Sequence, residues 1–387
     1  MPATASKLIF ISLTPNFGGH EVMLTRWMQE VQAATDVVPH LVCNQKSKLA
    51  SLSKDNNIEC TPLTWPPAWS QKAPGPAKKL LALTYLVFRL ARIRRQTGAT
   101  VAVASEGSLM SEPLAILAAR LVFKKAALYV PMVDTYQDLG YPDAEGATKR
   151  FMRFYRHLPS VWITLSQGQA AIFKKWANIQ QPVFVLQNTI SQNIDHALKK
   201  FKANSLLADV FKILILGRLD AKHKGLDFLF SYLKTNAEAL IEKRFQFHFV
   251  GDGPYRTAIE EIIRSDKKIA QLVEMQPWSD PIQCFQTADC TLLTSRYEGV
   301  PLVMLESMAL GIPMVASRLP GVEGYLHPAC QFEIGDISTA IDAIEKLRSQ
   351  EFRNEVIAFN KARYEKMASA KAFRECVTTI TAQLTLR

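Results

Sequence analysis

Short apolar runs alternate with longer amphipathic stretches along the chain, and Gly, Pro, Asn and Asp punctuate most of the joins. In the first half, runs rich in β-branched residues predict strands over 7–13, 37–43, 100–104, 127–132, 161–165 and 183–186. Stretches with helical spacing fall between them, over 21–31, 48–56, 112–123, about 148–157 and 169–176. Such alternation predicts α/β structure, a doubly wound parallel sheet whose ligands sit at the carboxyl ends of its strands. Pro62, Pro66, Pro67, Pro74 and Pro76 crowd one segment with Trp65 and Trp69, which reads as a loop. A basic amphipathic helix is expected directly after it, over 78–95.

From Gln187-Asn188-Thr189-Ile190 the pattern breaks into a polar, basic stretch, and a second alternating unit begins at 211–216. This gives a first domain over 1–188, a linker over 189–208 and a second domain over 209–369. The stretch 370–387 returns to complete the first. In the second domain a strand runs into Gly217-Arg218-Leu219-Asp220-Ala221-Lys222-His223-Lys224-Gly225, followed by a helix over 226–234. Cations between a strand and a helix start suit a diphosphate: Arg218 offers a planar fork, and Lys224 or Lys222 a point charge. Each of these alone also reads as an exposed surface cation. Strand 245–250 leads into the turn Gly251-Asp252-Gly253-Pro254, and Met275-Gln276-Pro277-Trp278-Ser279-Asp280 follows.

The most informative stretch is Ser295-Arg296-Tyr297-Glu298-Gly299-Val300-Pro301, continued by Leu302 to Pro313. A strand over 291–295 ends there, Pro301 suits a first helical turn, and Gly311 with Pro313 suits the stop. The helix is apolar almost all round and therefore buried, yet Glu306 sits within it. A buried carboxylate left unpaired is costly or forced neutral, so a partner for Glu306 is expected. Pro301 and Glu306 stand roughly 7–8 Å apart along the helix axis. Glu298 and Glu306 would then grip hydroxyls at two ends of one elongated ligand, with helix N–H groups between them for anionic oxygens. A sugar joined through a diphosphate to a nucleoside has that layout. The plainer reading pairs Glu306 with an internal Arg or Lys and leaves Glu298 as a helix cap.

The frame Ser-x-x-Glu-Gly-x-Pro-x-x-x-x-Glu-x-x-Ala-x-Gly-x-Pro closely resembles the signature of retaining GT-B glycosyltransferases of family 4. The resemblance implies GT-B architecture: two Rossmann-like domains facing across a cleft, with a C-terminal helix crossing back to the first. It implies a nucleotide-sugar donor, UDP- or GDP-linked. Glu298 would lie near the transferred sugar, the helix start at Gly299 and Val300 near the diphosphate, and Glu306 on the ribose hydroxyls. Arg218 and Lys224 match the family's Gly-Arg-Leu…Lys-Gly element, with one residue more than the commonest spacing. Pro15-Asn16-Phe17-Gly18-Gly19-His20-Glu21 looks like the family's glycine loop, so Gly18 and Gly19 would approach the diphosphate. His20 either serves there or caps the helix. Gly251 would shape the donor pocket, and Trp278 lies where the family holds the nucleobase, either stacking on it or packing internally. The family's usual histidine after the strand ending Val130-Pro131-Met132 is missing. Asp134 and Asp138 stand in that loop, and Asp134 is the candidate to orient an acceptor hydroxyl or take its proton. The stretch 135–146 reads as a mobile lid.

At 387 residues and 48% hydrophobic, the chain is long enough for two ordinary domains. Its six cysteines are scattered with no metal-ligand spacing, which fits reduced thiols and a cytoplasmic setting. The first apolar run is too short for a signal peptide, and no stretch approaches about 18 apolar residues, so no membrane span is expected. The net charge of +11 sits almost wholly in the first half. It suits an anionic acceptor or an anionic membrane surface approached by 78–95, giving a peripheral seat on the inner face. The aromatics do not interleave with Arg and Lys as in nucleic-acid motifs, so no specific nucleic-acid partner is expected. No Asp-x-Asp occurs, and neither a metal nor a cofactor is expected. The sequence thus predicts a retaining glycosyltransferase acting on a glycan or lipid-linked acceptor in cell-surface polysaccharide or lipopolysaccharide synthesis. The alternative is a non-catalytic nucleotide-sugar-binding subunit, and the sugar, the nucleotide and the acceptor stay open.

Overall fold

A computed structural model describes residues 6–15, 18–68, 70, 75–107, 113–133, 150, 152–198, 200–201 and 210–386. The chain divides into two compact units, Met1–Asn188 with Lys371–Arg387, and Thr189–Ala370.

The first unit is built on a seven-stranded sheet: β1 (Ser6–Ser12), β2 (Val37–Asn44), β3 (Glu59–Leu63), β4 (Val101–Ser105), β5 (Lys125–Tyr129), β6 (Val161–Thr164) and β7 (Val183–Val185). The order is β3-β2-β1-β4-β5-β6-β7 and all pairings are parallel. Strands buried on both faces explain why β1 and β4 read as apolar runs rather than as alternating ones. One face carries Ile9, Ile11, Ala102, Ala104 and Leu128 against Leu86, Leu90 and Ile93 of the helix Gly75–Thr97. On the other, Phe10 meets Trp27 of the helix Gly19–Ala34 edge to face, and Trp27 meets Tyr129 likewise. Aromatic pairs of this kind contribute roughly 0.5–1.5 kcal/mol beyond their buried area. The last helix, Ala370–Thr385, buries Phe373, Val377, Ile380 and Leu384. It is fastened to the first unit by Arg374 Nε on Glu30 Oε1 at 2.5 Å and by the Cys376 thiol donating to the Val185 carbonyl at 3.0 Å.

The second unit holds β8 (Phe211–Leu216), β9 (Phe245–Val250), β10 (Val273–Gln276), β11 (Cys290–Leu293), β12 (Met314–Ser317) and β13 (Gln331–Phe332). The order is β10-β9-β8-β11-β12-β13, again parallel throughout. Its core joins Ile213, Ile215, Phe247 and Phe249 of the sheet to Leu229, Phe230 and Leu233 of the helix Leu226–Glu242. Both sheets therefore have the doubly wound order that reverses direction once, between β1 and β4 in one and between β8 and β11 in the other. Ligands of such sheets bind at that reversal, beyond the strands' carboxyl ends.

The helices Arg256–Ser265 and Ile337–Lys346 and strand β13 are among the elements that escape the sequence pattern, and three further differences have a plain cause. Strand β3 is a polar edge strand carrying Pro62, a place where proline is tolerated. The helix Gln350–Met367 is too charged to show a clear apolar stripe. The helix starting at Leu226 runs to Glu242, beyond the expected 234, with a kink at Asn236 where φ is −113°.

Candidate functional site

In the second unit the reversal point is lined by the turns that follow β8 and β11. The backbone there is crowded. Gly251, with φ +150°, passes so close to the end of β8 that a Cβ would lie 1.9 Å from the Gly217 carbonyl oxygen. Gly321 comes closer still, its Cβ position 1.3 Å from the Gly299 carbonyl oxygen. Only glycine fits at either place, and both hold the rim of the site to one shape.

The cationic turn after β8 is stitched to the turn after β11. The Thr294 hydroxyl donates to the Lys224 carbonyl at 2.7 Å, and the Arg296 N–H donates to the His223 carbonyl at 3.0 Å. The rings of His223 and Tyr297 stack with centroids 4.3 Å apart. Arg296 is the buckle. Its guanidinium donates to both carboxylate oxygens of Asp227 at 2.7 Å and to the Lys222 carbonyl at 2.6 Å, and it lies 3.7 Å over the Phe228 ring. A forked, stacked guanidinium of this kind is not replaceable by a lysine. Nothing in the sequence around Arg296 announces this role, because Asp227 lies 69 residues away in the chain.

This stitching sets Lys224 against Glu298. The Lys224 ammonium donates to Glu298 Oε1 at 2.5 Å, and the Ser295 hydroxyl donates to the same oxygen at 2.7 Å. Burial by itself pushes the Glu298 carboxyl up. Lys224 and His223 beside it, with the hydrogen bonds from Lys224 and Ser295, outweigh burial and hold it below its ordinary value, so it is a carboxylate. Burial in turn pushes the His223 imidazole down. Of the two lysines considered for the phosphate position, Lys224 is the one turned inward, whereas Lys222 is exposed. Arg218 is exposed at the mouth of a small hollow that it lines together with Gly217, Lys224 and Thr294. Gly299 and Val300 are buried beside Glu298, just ahead of the helix Leu302–Leu310.

Glu306 corrects one expectation. It is buried in that helix, but among the described residues no hydrogen bond or ion pair reaches its carboxyl group. Burial instead pushes it up to about 7. Trp278 does not pack internally: the residue is 62% exposed, next to the short helix that Asp280 caps. Gly18 and Gly19 lie in the first unit. The Gly18 N–H donates to Glu21 Oε2 at 2.8 Å, so this loop opens the helix Gly19–Ala34 with a carboxylate cap. Asp134, Asp138 and the stretch 135–146 lie outside the described residues.

The Glu306 environment makes stability depend on pH in a defined direction. At low pH the carboxyl is protonated in both states; from about 4.5 upward the unfolded chain releases the proton while the fold retains it to about 7. Stability contributed at this site therefore falls across that window, by on the order of 3 kcal/mol, and then levels off. Urea unfolding of the wild type and of Glu306→Gln at pH 5 and pH 8 reads this directly. The variant should gain on the wild type by about that amount at the higher pH, and parallel pH slopes would contradict the assignment.

Residues 210–350 match the family described as glycosyl transferases group 1. Similar curated proteins include the O-antigen biosynthesis glycosyltransferase WclY of Escherichia coli, 28% identical over 32% of this chain and 33% of that protein. Another is the Escherichia coli UDP-Gal:alpha-D-GlcNAc-diphosphoundecaprenol alpha-1,3-galactosyltransferase, 24% identical over 40% of this chain and 41% of that protein. The alignments thus span a third to two fifths of these relatives' lengths. Among solved structures, Anabaena HepE in complex with UDP and glucose superposes with a TM-score of 0.73, 16% identity, 98% of this chain and all of that one. Two parallel doubly wound sheets, the helix that returns to the first, and the matched stretch around Arg218 and Glu298 agree with one another: the second unit is a glycosyl transferases group 1 domain, and the chain has the GT-B glycosyltransferase fold.

Proposed function

We propose that this protein transfers a sugar from a UDP- or GDP-linked donor to a hydroxyl of a glycan or lipid-linked acceptor, with retention of anomeric configuration, in cell-surface polysaccharide or lipopolysaccharide synthesis. The observation that carries the reading is the juxtaposition of Lys224 and the Glu298 carboxylate at the reversal point of the second sheet, with Arg218 at the mouth of the same hollow. An anionic diphosphate suits Arg218, Lys224 and the N-terminus of the helix Leu302–Leu310. Glu298, kept ionised, suits sugar hydroxyls, and Glu306 suits those of the ribose. The exposed ring of Trp278 is free to stack on a base.

In this mechanism the bond from the anomeric carbon to the diphosphate oxygen breaks. Arg218 and Lys224 take up the charge that develops on the departing diphosphate. The acceptor hydroxyl adds on the face the diphosphate leaves, and its proton passes to a diphosphate oxygen. No metal ion is assigned a part; the cations supply the neutralisation. WclY is named for O-antigen biosynthesis and the galactosyltransferase for a lipid-diphosphate acceptor, and both support the coarse substrate class. Glu298→Ala and Arg218→Ala should each lower transfer at least a hundredfold, with the melting temperature and far-ultraviolet circular dichroism retained. Full turnover in either variant, measured as nucleotide release across a panel of UDP- and GDP-sugars, would refute these roles.

The same reading seats the first unit on a membrane. No helix among the described residues is long and apolar enough to cross one. The helix Gly75–Thr97 buries Ala82, Leu86, Leu90 and Ile93 and turns Leu80 and Phe88 to solvent, 64% and 65% exposed, beside exposed Arg92 and Arg95. Exposed apolar groups flanked by cations suit an anionic lipid surface. Phosphatidylglycerol vesicles should co-sediment the protein at low salt, less so at high salt, and less so for Leu80→Glu/Phe88→Glu. Binding that ignores both salt and these substitutions would remove the membrane assignment.

A further inference from the structure

The outer edge of the first sheet holds two cysteines that the donor site does not use. Strand β2 carries Cys43, and the edge strand β3 carries Cys60. The register sets Cys60 opposite Leu41, two residues from Cys43. Residues two apart on a strand share a face, so both thiols stand on the same side of the sheet. Their sulfurs lie 3.6 Å apart, in hydrogen-bond contact. Among the described residues no other two cysteines make such a contact, and all six are free thiols.

The two thiols are unlike. Cys43 is fully buried, whereas Cys60 is partly open to solvent beside the helix Leu49–Asp55. The Cys43 thiol, more than any other group, holds Cys60 below its ordinary value; burial opposes this, and Ser53 and Lys54 of that helix add to it. The same contact, with burial, pushes Cys43 up. The thiolate is the nucleophile in cysteine chemistry. The pair therefore divides into an attacking sulfur that solvent reaches and a protonated sulfur held against it, the arrangement of a thiol with its resolving partner. A structural zinc site takes four ligands, and no group of three or more His, Cys, Asp or Glu side chains suited to a metal occurs among the described residues.

We propose that Cys43 and Cys60 form a dithiol that hydroperoxides convert reversibly to a disulfide. The Cys60 thiolate attacks one oxygen of hydrogen peroxide; the S–O bond forms, the O–O bond breaks, and hydroxide leaves to be protonated to water. The Cys43 sulfur then attacks the sulfur of the resulting sulfenic acid. The S–S bond forms, the S–O bond breaks, and the departing hydroxide takes the Cys43 proton as a second water. Two thiols and one peroxide thus give one disulfide and two waters. The sulfurs close from 3.6 Å to about 2.0 Å. A diagonal pair across two strands is more widely set than a directly opposed one, so closure draws β3 inward. An edge strand, with one side free of neighbours, can yield in this way. The device stands apart from the transferase reading and does not rest on it.

Peptide mapping of the full-length protein tests this. The reduced protein is treated with hydrogen peroxide, blocked with an alkylating reagent, digested and weighed. The peptides holding Cys43 and Cys60 should appear joined, two hydrogens lighter than their sum, and dithiothreitol should separate them. Cys60→Ser should lose the link and slow the peroxide-driven loss of free thiols about fivefold or more. Cys376→Ser, which removes a thiol that burial pushes up, should keep the link and most of the rate. Cys43→Ser should leave Cys60 as a sulfenic acid that dimedone traps. Melting temperatures of the three variants check that each is folded, and the wild-type map decides the matter even where one is not. Cys43 and Cys60 recovered as separately alkylated peptides after peroxide, or equal rates in Cys60→Ser and Cys376→Ser, overturns the proposal. So does a link from either residue to some other cysteine in place of the pair.

Discussion

The site of the second unit depends on a guanidinium that never needs to touch a substrate. Arg296 ties the turn after β8 to the turn after β11 through a carboxylate, a backbone carbonyl and an aromatic face. The turn after β8 carries the cations Arg218 and Lys224, and the turn after β11 carries the carboxylate Glu298. The Thr294 hydroxyl and the His223–Tyr297 stack hold the same two turns, and the Arg296 guanidinium adds the tie that joins them through charge. With it, the ammonium and the carboxylate meet at 2.5 Å. Preorganisation of this kind matters because charges already in place need not be reoriented at the moment of reaction.

The two carboxylates of the motif are prepared in opposite ways. Glu298 has cations and hydrogen-bond donors around it, which overcome its burial and keep it ionised. Glu306 is buried without such company and is driven toward its neutral form. A ligand that brings hydroxyls to Glu306 supplies the partners the fold withholds, so its binding and the ionisation of Glu306 are coupled. The motif's sequence symmetry, glutamate and glutamate, therefore conceals an electrostatic asymmetry.

Much of this was legible in the chain. Runs such as 8–11 and 213–216 are apolar because both faces of a parallel strand are covered, and they fall where the pattern puts them. The fold class followed from their alternation with helices. The motif residues were legible because Pro301 and Gly311 punctuate a helix that is otherwise uniformly apolar. What stayed hidden has a physical cause in each case. Edge strand β3 carries polar residues and a proline because one of its sides has no neighbouring strand. The Arg296–Asp227 tie is a contact between distant segments, and the residue types on either side announce nothing. The missing partner of Glu306 is hidden because sequence shows which residue is buried but not which cations fail to reach it.

The tie can be tested by a double-mutant cycle on nucleotide affinity. Calorimetric titration of UDP and GDP would be compared for the wild type, Arg296→Gln, Asp227→Asn and the double variant. Each single change should weaken the preferred nucleotide about tenfold, or ~1.4 kcal/mol, and the double variant should bind no worse than the weaker single one. Wild-type affinity in Arg296→Gln, or losses that simply add in the double variant, would contradict the claim that this clasp holds the site together.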